Sequence, residues 1–305
     1  MDVLILSSKE VRGIKKMKAA FNAKGFSKAD YLNISKINLV SRGGRTKIVN
    51  GGTKVEDYDA VYLRTNLKMA PFVEPLLDEL KEEGIYTQFR PGAYYVNSNE
   101  GLQVSVLNAK GLPVAKSVVV SDPKIIKDST EKLNYPIIFK SFKGQTKIQS
   151  ILIESPRSLR SIAKSIKMDL DVIILREFEE ADLLQCAVIG GKVFAIRRRW
   201  NGTEIDKLAK GIPYTVSDQE RYVAIKAARA CSCEIATVKI SRGNVTEVMP
   251  DINFAVFNQK TGVNLFEVVA DYFSRRASGE KVKRVRLKPS LFDRITKRLE
   301  GVLNG

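Results

Sequence analysis

Three lysines lie on one segment that is predicted to form a strand, a loop and a second strand. The segment covers residues 135–154, YPIIFKSFKGQTKIQSILIE, and apolar β-type runs at residues 137–139 and 148–153 flank its loop. Lys140 follows the first run, Gly144 marks the turn, and the loop also carries Lys143 and Lys147. A lysine beneath such a loop is one way to hold a polyphosphate, whereas the alternative is a basic hairpin with solvated lysines.

Arginines form a second set of candidate anion contacts. Arg197, Arg198, Arg199 and Trp200 follow one another at the end of a predicted strand. Because successive side chains on a strand alternate between its faces, Arg197 and Arg199 share one side, where they could bind an anion or a stacked base beside Trp200. Arg64 directly follows another buried-type strand and is a further candidate. For each arginine the alternative is a solvated surface position.

The composition excludes several kinds of catalysis. The chain has no histidine, which rules out Ser-His and Cys-His nucleophile pairs, imidazole acid–base chemistry and histidine-ligated metals. Its three cysteines, Cys186, Cys231 and Cys233, fit no disulfide framework or zinc spacing and are predicted to be small buried residues. An enzyme built on this chain must therefore use carboxylates, lysine, arginine or backbone groups.

Length and charge bound the class of protein. With 305 residues the chain is long enough for roughly two domains or one elaborate domain. No apolar run approaches the ~18 residues of a membrane span, and the N-terminal residues resemble an opening strand, so we expect a cytoplasmic protein. The formal net charge of +17 indicates attraction to polyanions, although a basic proteome or an acidic small substrate would give the same value.

The order of predicted elements indicates an α/β protein. Strands and helices alternate over the first hundred residues, which is typical of a mainly parallel sheet. Start signals for helices occur at Ser121, Ser155 and Ser217, and Gly190 and Gly191 form a hairpin turn between two later strands. A basic tail follows Gly279, with apolar residues at helical spacing within residues 290–303.

Several pieces of the chain together resemble the RimK/LysX-like carboxylate–amine ligases of the ATP-grasp superfamily. The pieces are YPIIFK ending at Lys140, REF at residues 176–178, QCAVIGGKVFAIRRR, SDQERYVAIKAARA and KTGVNLFEVVADY. The resemblance covers about residues 1–278 and implies the ATP-grasp fold. It implies an N-terminal α/β domain at residues 1–112, a central lid domain at 113–175, a C-terminal β-rich domain at 176–279, and a tail helix at 280–305.

The resemblance also implies a site for ATP and Mg²⁺ in which a carboxylate is activated as an acyl phosphate and then attacked by an amine. Lys140 matches the phosphate-contacting lysine, and Glu177 and Phe178 match the hinge beside adenine. The remaining candidates fall into three groups: the lid lysines Lys143 and Lys147; anion or substrate contacts at Arg64, Arg197, Arg199, Lys210 and Lys239; and metal ligands at Glu247, Asp251 and Asn253.

The chain departs from the family pattern at several of these positions. Glu100 replaces a phosphate-side lysine, and of the several lid glycines only Gly144 remains. The first metal carboxylate aligns with Lys239. For the second metal site two alignments stay open, one keeping Glu247 with Met249 in place of an asparagine and the other using Asp251 and Asn253. The aspartate and arginine that follow the hinge align with Leu183 and Gln185.

These departures lead to two hypotheses. In the first, the chain is a non-catalytic descendant of an ATP-grasp ligase that binds a polyanion such as nucleic acid, or an acidic protein partner. In the alternative, it is an active ATP-dependent carboxylate–amine ligase with a rearranged site. The sequence favours the first hypothesis, because an ammonium group repels the cation whose ligand it would replace.

Overall fold

The computed structural model describes residues 1–8, 13–42, 45–49, 54–122, 125–126, 133–144, 146–165 and 171–281. Its strands are β1 (Asp2–Ser7), β2 (Lys28–Asn33), β3 (Asn38–Arg42), β4 (Arg45–Val49), β5 (Ala60–Arg64), β6 (Tyr86–Thr87), β7 (Ser117–Val120), β8 (Ile137–Lys143), β9 (Thr146–Ile153), β10 (Val172–Glu177), β11 (Leu183–Ile189), β12 (Lys192–Arg198), β13 (Ile212–Tyr214), β14 (Ile235–Ser241) and β15 (Asn244–Met249). Its helices are α1 (Gly13–Ala23), α2 (Ala70–Glu82), α3 (Ala93–Ser98), α4 (Glu100–Ala109), α5 (Pro156–Ser165), α6 (Asp218–Ala230), α7 (Phe254–Thr261) and α8 (Leu265–Ala277).

The first sheet is parallel, as the alternation of strands and helices predicts. Its strand order is β2-β1-β5-β6, with β1 parallel to both neighbours. The four central residues of β1 are all apolar because both faces of the strand are covered. Leu4 and Leu6 pack with α2, and Val3 and Ile5 pack with α1. The hairpin β3–β4 forms a separate two-stranded sheet.

The second sheet carries the lysine-bearing segment and has the order β7-β10-β8-β9. The strands β8 and β10 pair antiparallel, with Ile174 opposite Lys140, so the prediction that they share one sheet is confirmed. Alternation sends Ile137 and Phe139 to the face covered by Leu159 of α5. Lys140 therefore points from the opposite face, where its ammonium group meets Glu100 of α4.

The third sheet is antiparallel, with the order β13-β12-β11-β14-β15. One face carries Leu184, Cys186 and Val188 and packs with α6, while the other packs with α7 and α8. The helix α6 starts at the predicted capping box, in which the side chains of Ser217 and Glu220 each bind the other's backbone N–H.

The apolar spacing after Gly262 predicts a single helix over residues 262–276, and the C-terminal helices differ from this prediction. Two helices are present, and Gly262 ends the first of them with a left-handed φ of 70°. Glycine adopts this conformation without steric penalty, so here it terminates α7 and does not open α8. The short helix α3 and strand β13 were not predicted. The helix predicted after Ser121 lies mostly outside the described residues, and so does the tail helix beyond residue 281.

A buried carboxylate joins the first sheet to the C-terminal helices. Glu234 accepts hydrogen bonds from Tyr86 Oη at 2.9 Å, Tyr272 Oη at 2.9 Å and Arg276 Nε at 3.0 Å.

We expect Glu234→Gln to lower the free energy of unfolding by about 3 kcal/mol, because removing the negative charge of Glu234 leaves the partly buried guanidinium of Arg276 unpaired. Chemical denaturation measures this loss. The matched variant Glu82→Gln, on the exposed end of α2, should change it little, and equal stability of both variants would contradict the assignment.

The cysteines are buried, which confirms the prediction from their spacing. Burial raises the pKa of the Cys186 and Cys231 thiols to about 12, so almost no thiolate exists near neutral pH. We expect a disulfide reagent such as Ellman's to leave the native protein unmodified and to titrate all three thiols after unfolding. Rapid labelling of the native protein would contradict this account.

None of the helices within the described ranges is long and apolar enough to cross a membrane.

Candidate active site

One ion pair joins the second sheet to α4, a second lies on the third sheet, and Arg176 connects the two sheets. In the first pair, Lys140 Nζ lies 2.6 Å and 2.8 Å from the two carboxylate oxygens of Glu100. Arg176 Nη1 lies 3.1 Å from the same carboxylate and donates to the Thr246 carbonyl at 2.9 Å. Asn99 starts α4 by capping it and so fixes Glu100 in its first turn. One carboxylate is thus shared by two cations from neighbouring strands.

The second ion pair lies on adjacent strands of the third sheet. Lys239 on β14 is directly opposite Glu247 on β15, and Nζ lies 2.6 Å from Oε2. On its other side Lys239 is opposite Gln185 of β11. The two pairs are electrostatically linked, since Glu247 raises the pKa of Lys140. Burial and the nearby Arg176 outweigh the carboxylates and lower that pKa overall.

A cavity of about 270 Å³ lies beside the first ion pair, beneath the turn between β8 and β9. Its polar end is formed by Glu100 and by the turn at Gly144. Its other walls come from α3, α4, β8 and β10, namely Tyr95, Ser98, Asn99, Leu102, Phe142, Val172 and Ile174. The cavity therefore combines one acidic side chain with mostly apolar walls.

The strand register places the first two arginines of the run on opposite faces of the third sheet, as alternation predicts. Arg197 is opposite Leu184, pairs with Asp182 at 3.8 Å and lies over the Tyr214 ring. The neighbouring residue Arg198 is opposite Leu183 and therefore shares a face with Gln185 and Lys239. Only the register of β11 against β12 and β14 identifies this arginine, because the sequence contains three successive arginines. Arg199 follows β12 and is exposed.

The predicted hinge residues lie where the second sheet leads into the third. Glu177 Oε1 accepts hydrogen bonds from the backbone N–H and the side chain of Asn134, at 2.8 Å and 3.0 Å. The Phe178 ring contacts Trp200 edge to face, with ring centroids 5.4 Å apart. Lys143 ends β8 and Lys147 lies on β9, on either side of the turn. Lys210 ends an exposed turn before β13.

The residues present do not fit a magnesium ion. Glu247 is paired with Lys239, and Asp251 is paired with Arg64, whose Nε lies 3.2 Å away. Asn253 Oδ1 accepts the Val256 N–H and caps α7. Within the described ranges no three acidic or cysteine side chains converge as a metal site. Mg²⁺ takes oxygen ligands in near-ideal octahedral geometry, and an ammonium group beside Glu247 repels it.

Comparisons with known proteins identify the family. A model described as a RimK-like ATP-grasp domain matches residues 97–273, more than half of the chain. A probable alpha-L-glutamate ligase of Legionella pneumophila (strain Paris) is 25% identical over 244 residues, covering 74% of this chain and 80% of that protein. One from Haemophilus influenzae is 25% identical over 236 residues, covering 73% and 78%.

Solved structures show the same fold. The ATP-grasp ligase PsnB, complexed with a phosphomimetic variant of its minimal precursor, Mg and ADP, aligns with a TM-score of 0.69 at 16% identity, covering 90% of this chain and 98% of that chain. The macrocyclase MdnC of Microcystis aeruginosa MRC, bound to the precursor peptide MdnA, aligns with a TM-score of 0.63 at 14% identity, covering 90% and 99%. The predicted ATP-grasp fold is therefore confirmed.

Proposed function

We propose that this chain, which belongs to the RimK-like ATP-grasp family, is an ATP-dependent ligase that joins a carboxylate to an amine. The observation that carries the proposal is the grouping of Lys140 and Arg176 around Glu100, with Glu247, the partner of Lys239, near enough to raise the pKa of Lys140. The relatives named above are ligases, which favours this alternative over the non-catalytic, polyanion-binding hypothesis that the sequence favoured.

The proposed reaction has two balanced steps. In the first step, a carboxylate oxygen attacks the γ-phosphorus of ATP, and the bond between this phosphorus and the oxygen bridging it to the β-phosphate breaks. The products are an acyl phosphate and ADP. The amine nitrogen then attacks the acyl carbon, releases inorganic phosphate with one former carboxylate oxygen, and loses a proton to solvent. Lys140, Arg176 and Lys239 would donate hydrogen bonds to the phosphate oxygens and balance their charge. Magnesium has no fitting ligand set here, so no step is assigned to it.

The substrate proposal extends to amino acids or peptides that carry a free carboxylate. The relatives are named for L-glutamate, and the aligned structures PsnB and MdnC are complexed with precursor peptides. The carboxylate group of a small substrate could reach the phosphate-binding cations through the cavity beside Glu100. The apolar walls of this cavity would then contact the rest of the substrate.

Hydroxylamine trapping tests the proposed function. The protein is incubated with ATP, hydroxylamine and a panel of amino acids that includes L-glutamate, with and without Mg²⁺. Because hydroxylamine captures acyl phosphates, a ligase yields a hydroxamate and ADP in equal amounts for the accepted carboxylate. The exposed-site variant Lys192→Met should behave like wild type. Absence of both hydroxamate and ADP production over the whole panel would overturn the proposal.

Binding of nucleic acid or an acidic protein stays a second proposal, and the net charge of +17 is the observation in its favour. Several of the cations described above are already paired within the protein, since Lys140, Lys239 and Arg197 each contact a carboxylate. Counterion release predicts that any nucleic-acid affinity falls steeply with salt. Filter binding at several salt concentrations tests this, and no binding at low salt removes the proposal.

A further inference from the structure

We infer that the ammonium group of Lys239 takes the place of a divalent cation, so that this chain binds ATP without magnesium. This inference rests on the proposed nucleotide site but concerns how its charge is balanced. The resemblance to ATP-grasp ligases implies a metal carboxylate at this position, and the structure places the Lys239 ammonium 2.6 Å from Glu247 Oε2. A divalent cation would need that same carboxylate oxygen.

The charges of the two ion pairs, together with that of Arg176, are consistent with such a replacement. Lys140, Arg176 and Lys239 supply three positive charges, and Glu100 and Glu247 supply two negative ones. The set therefore carries one net positive charge before any ligand binds. If phosphate oxygens displaced the two carboxylates from their lysines, three cationic groups would face the triphosphate. Lysine provides a compact charge with three donors, which can contact several phosphate oxygens.

The other candidate ligands cannot restore a metal site without breaking contacts elsewhere. Asp251 is held by Arg64 through an ion pair between different parts of the fold. Arg64 itself lies over the Phe254 ring, with the guanidinium carbon 5.6 Å from the centroid. Asn253 is occupied as the cap of α7. The geometry therefore leaves Lys239 as the group that faces Glu247.

Tryptophan fluorescence offers a direct test, because Trp200 is the sole tryptophan and contacts the hinge residue Phe178. ATP is titrated in excess Mg²⁺ and in EDTA with wild type, Lys239→Asp and Lys192→Asp. The control makes the same charge change on the same sheet, at an exposed residue beside Asp271. Calorimetry on the same samples checks the dissociation constants independently of the fluorophore.

For wild type, and separately for Lys192→Asp, we expect the ATP dissociation constant measured in Mg²⁺ to lie within about threefold of the value measured in EDTA. Lys239→Asp removes the ammonium and adds a second carboxylate beside Glu247, so its ATP affinity should become magnesium-dependent by more than about tenfold. A larger magnesium effect on wild type, an unchanged response in Lys239→Asp, or no ATP binding in either condition overturns the inference.

The outcome is separable from that of the proposed function. Metal-independent ATP binding without hydroxamate formation would leave the inference standing and remove the ligase proposal. Hydroxamate formation that requires Mg²⁺, together with magnesium-dependent ATP binding by wild type, would leave the ligase proposal standing and remove the inference.

Discussion

Replacing Lys140 by methionine is expected to lower the ATP-dependent rate about 100-fold, the effect typical of losing one donor to developing charge in an enclosed site. The side chain lies on the face of the second sheet that meets α4, is only 14% exposed, and has its ammonium group already held by Glu100. Methionine keeps most of the volume and the apolar stem but donates no hydrogen bond. The rate is measured as ADP release with the carboxylate that the trapping assay identifies.

Two observations would separate a catalytic effect of Lys140 from a structural one. The circular dichroism spectrum of Lys140→Met should match that of wild type, because Phe139 and Ile137 on the opposite face retain their core contacts. Lys140→Arg should recover part of the rate by restoring a positive donor. A methionine variant with the wild-type rate would exclude Lys140 from the reaction.

Replacing Glu100 by glutamine is expected to tighten ATP binding by about tenfold, since this carboxylate competes with phosphate for Lys140 and Arg176. Glu100 also raises the pKa of Lys140, so its loss leaves burial and Arg176 to lower that pKa further. The free variant should therefore unfold at a lower temperature than wild type. Added ATP should restore more stability to the variant than to wild type.

Calorimetric titration and thermal unfolding together test the role of Glu100. Glu82→Gln is a matched control, because it removes the same charge at the exposed end of α2. If Glu100→Gln weakens ATP binding, the carboxylate supports the site and does not compete within it.

Much of the fold could be predicted from the sequence because local signals determine it. The apolar runs around Lys140, the capping box at Ser217 and the turn at Gly190 each define an element from a few neighbouring residues. Gly262 was misassigned, since a glycine at a helix boundary can precede or end a helix and only the observed φ decides. The short helix α3 follows Gly92, and its first N–H groups are bound by the sequence-distant Glu74, so no neighbouring residue marks its start.

The charge pairing of the site could not be predicted, because it depends on contacts between distant parts of the chain. Glu100 and Lys140 are 40 residues apart and meet only when α4 lies against the second sheet. From the sequence Glu100 was identified only as a departure from the family pattern, and its two cationic partners were not foreseen. Similarly, the contact between Lys239 and Glu247 requires the register of β14 against β15.

Oxygen transfer tests the central claim most directly. The accepted carboxylate is labelled with oxygen-18 at both oxygens, and the inorganic phosphate released with ATP and amine is examined by mass spectrometry. Attack of the carboxylate on the γ-phosphorus predicts that each released phosphate carries one labelled oxygen. This oxygen leaves the acyl group together with the phosphate when the amide bond forms. Release of unlabelled phosphate would show that water, and not a carboxylate, attacks ATP, and would contradict the assignment of this chain as a carboxylate–amine ligase.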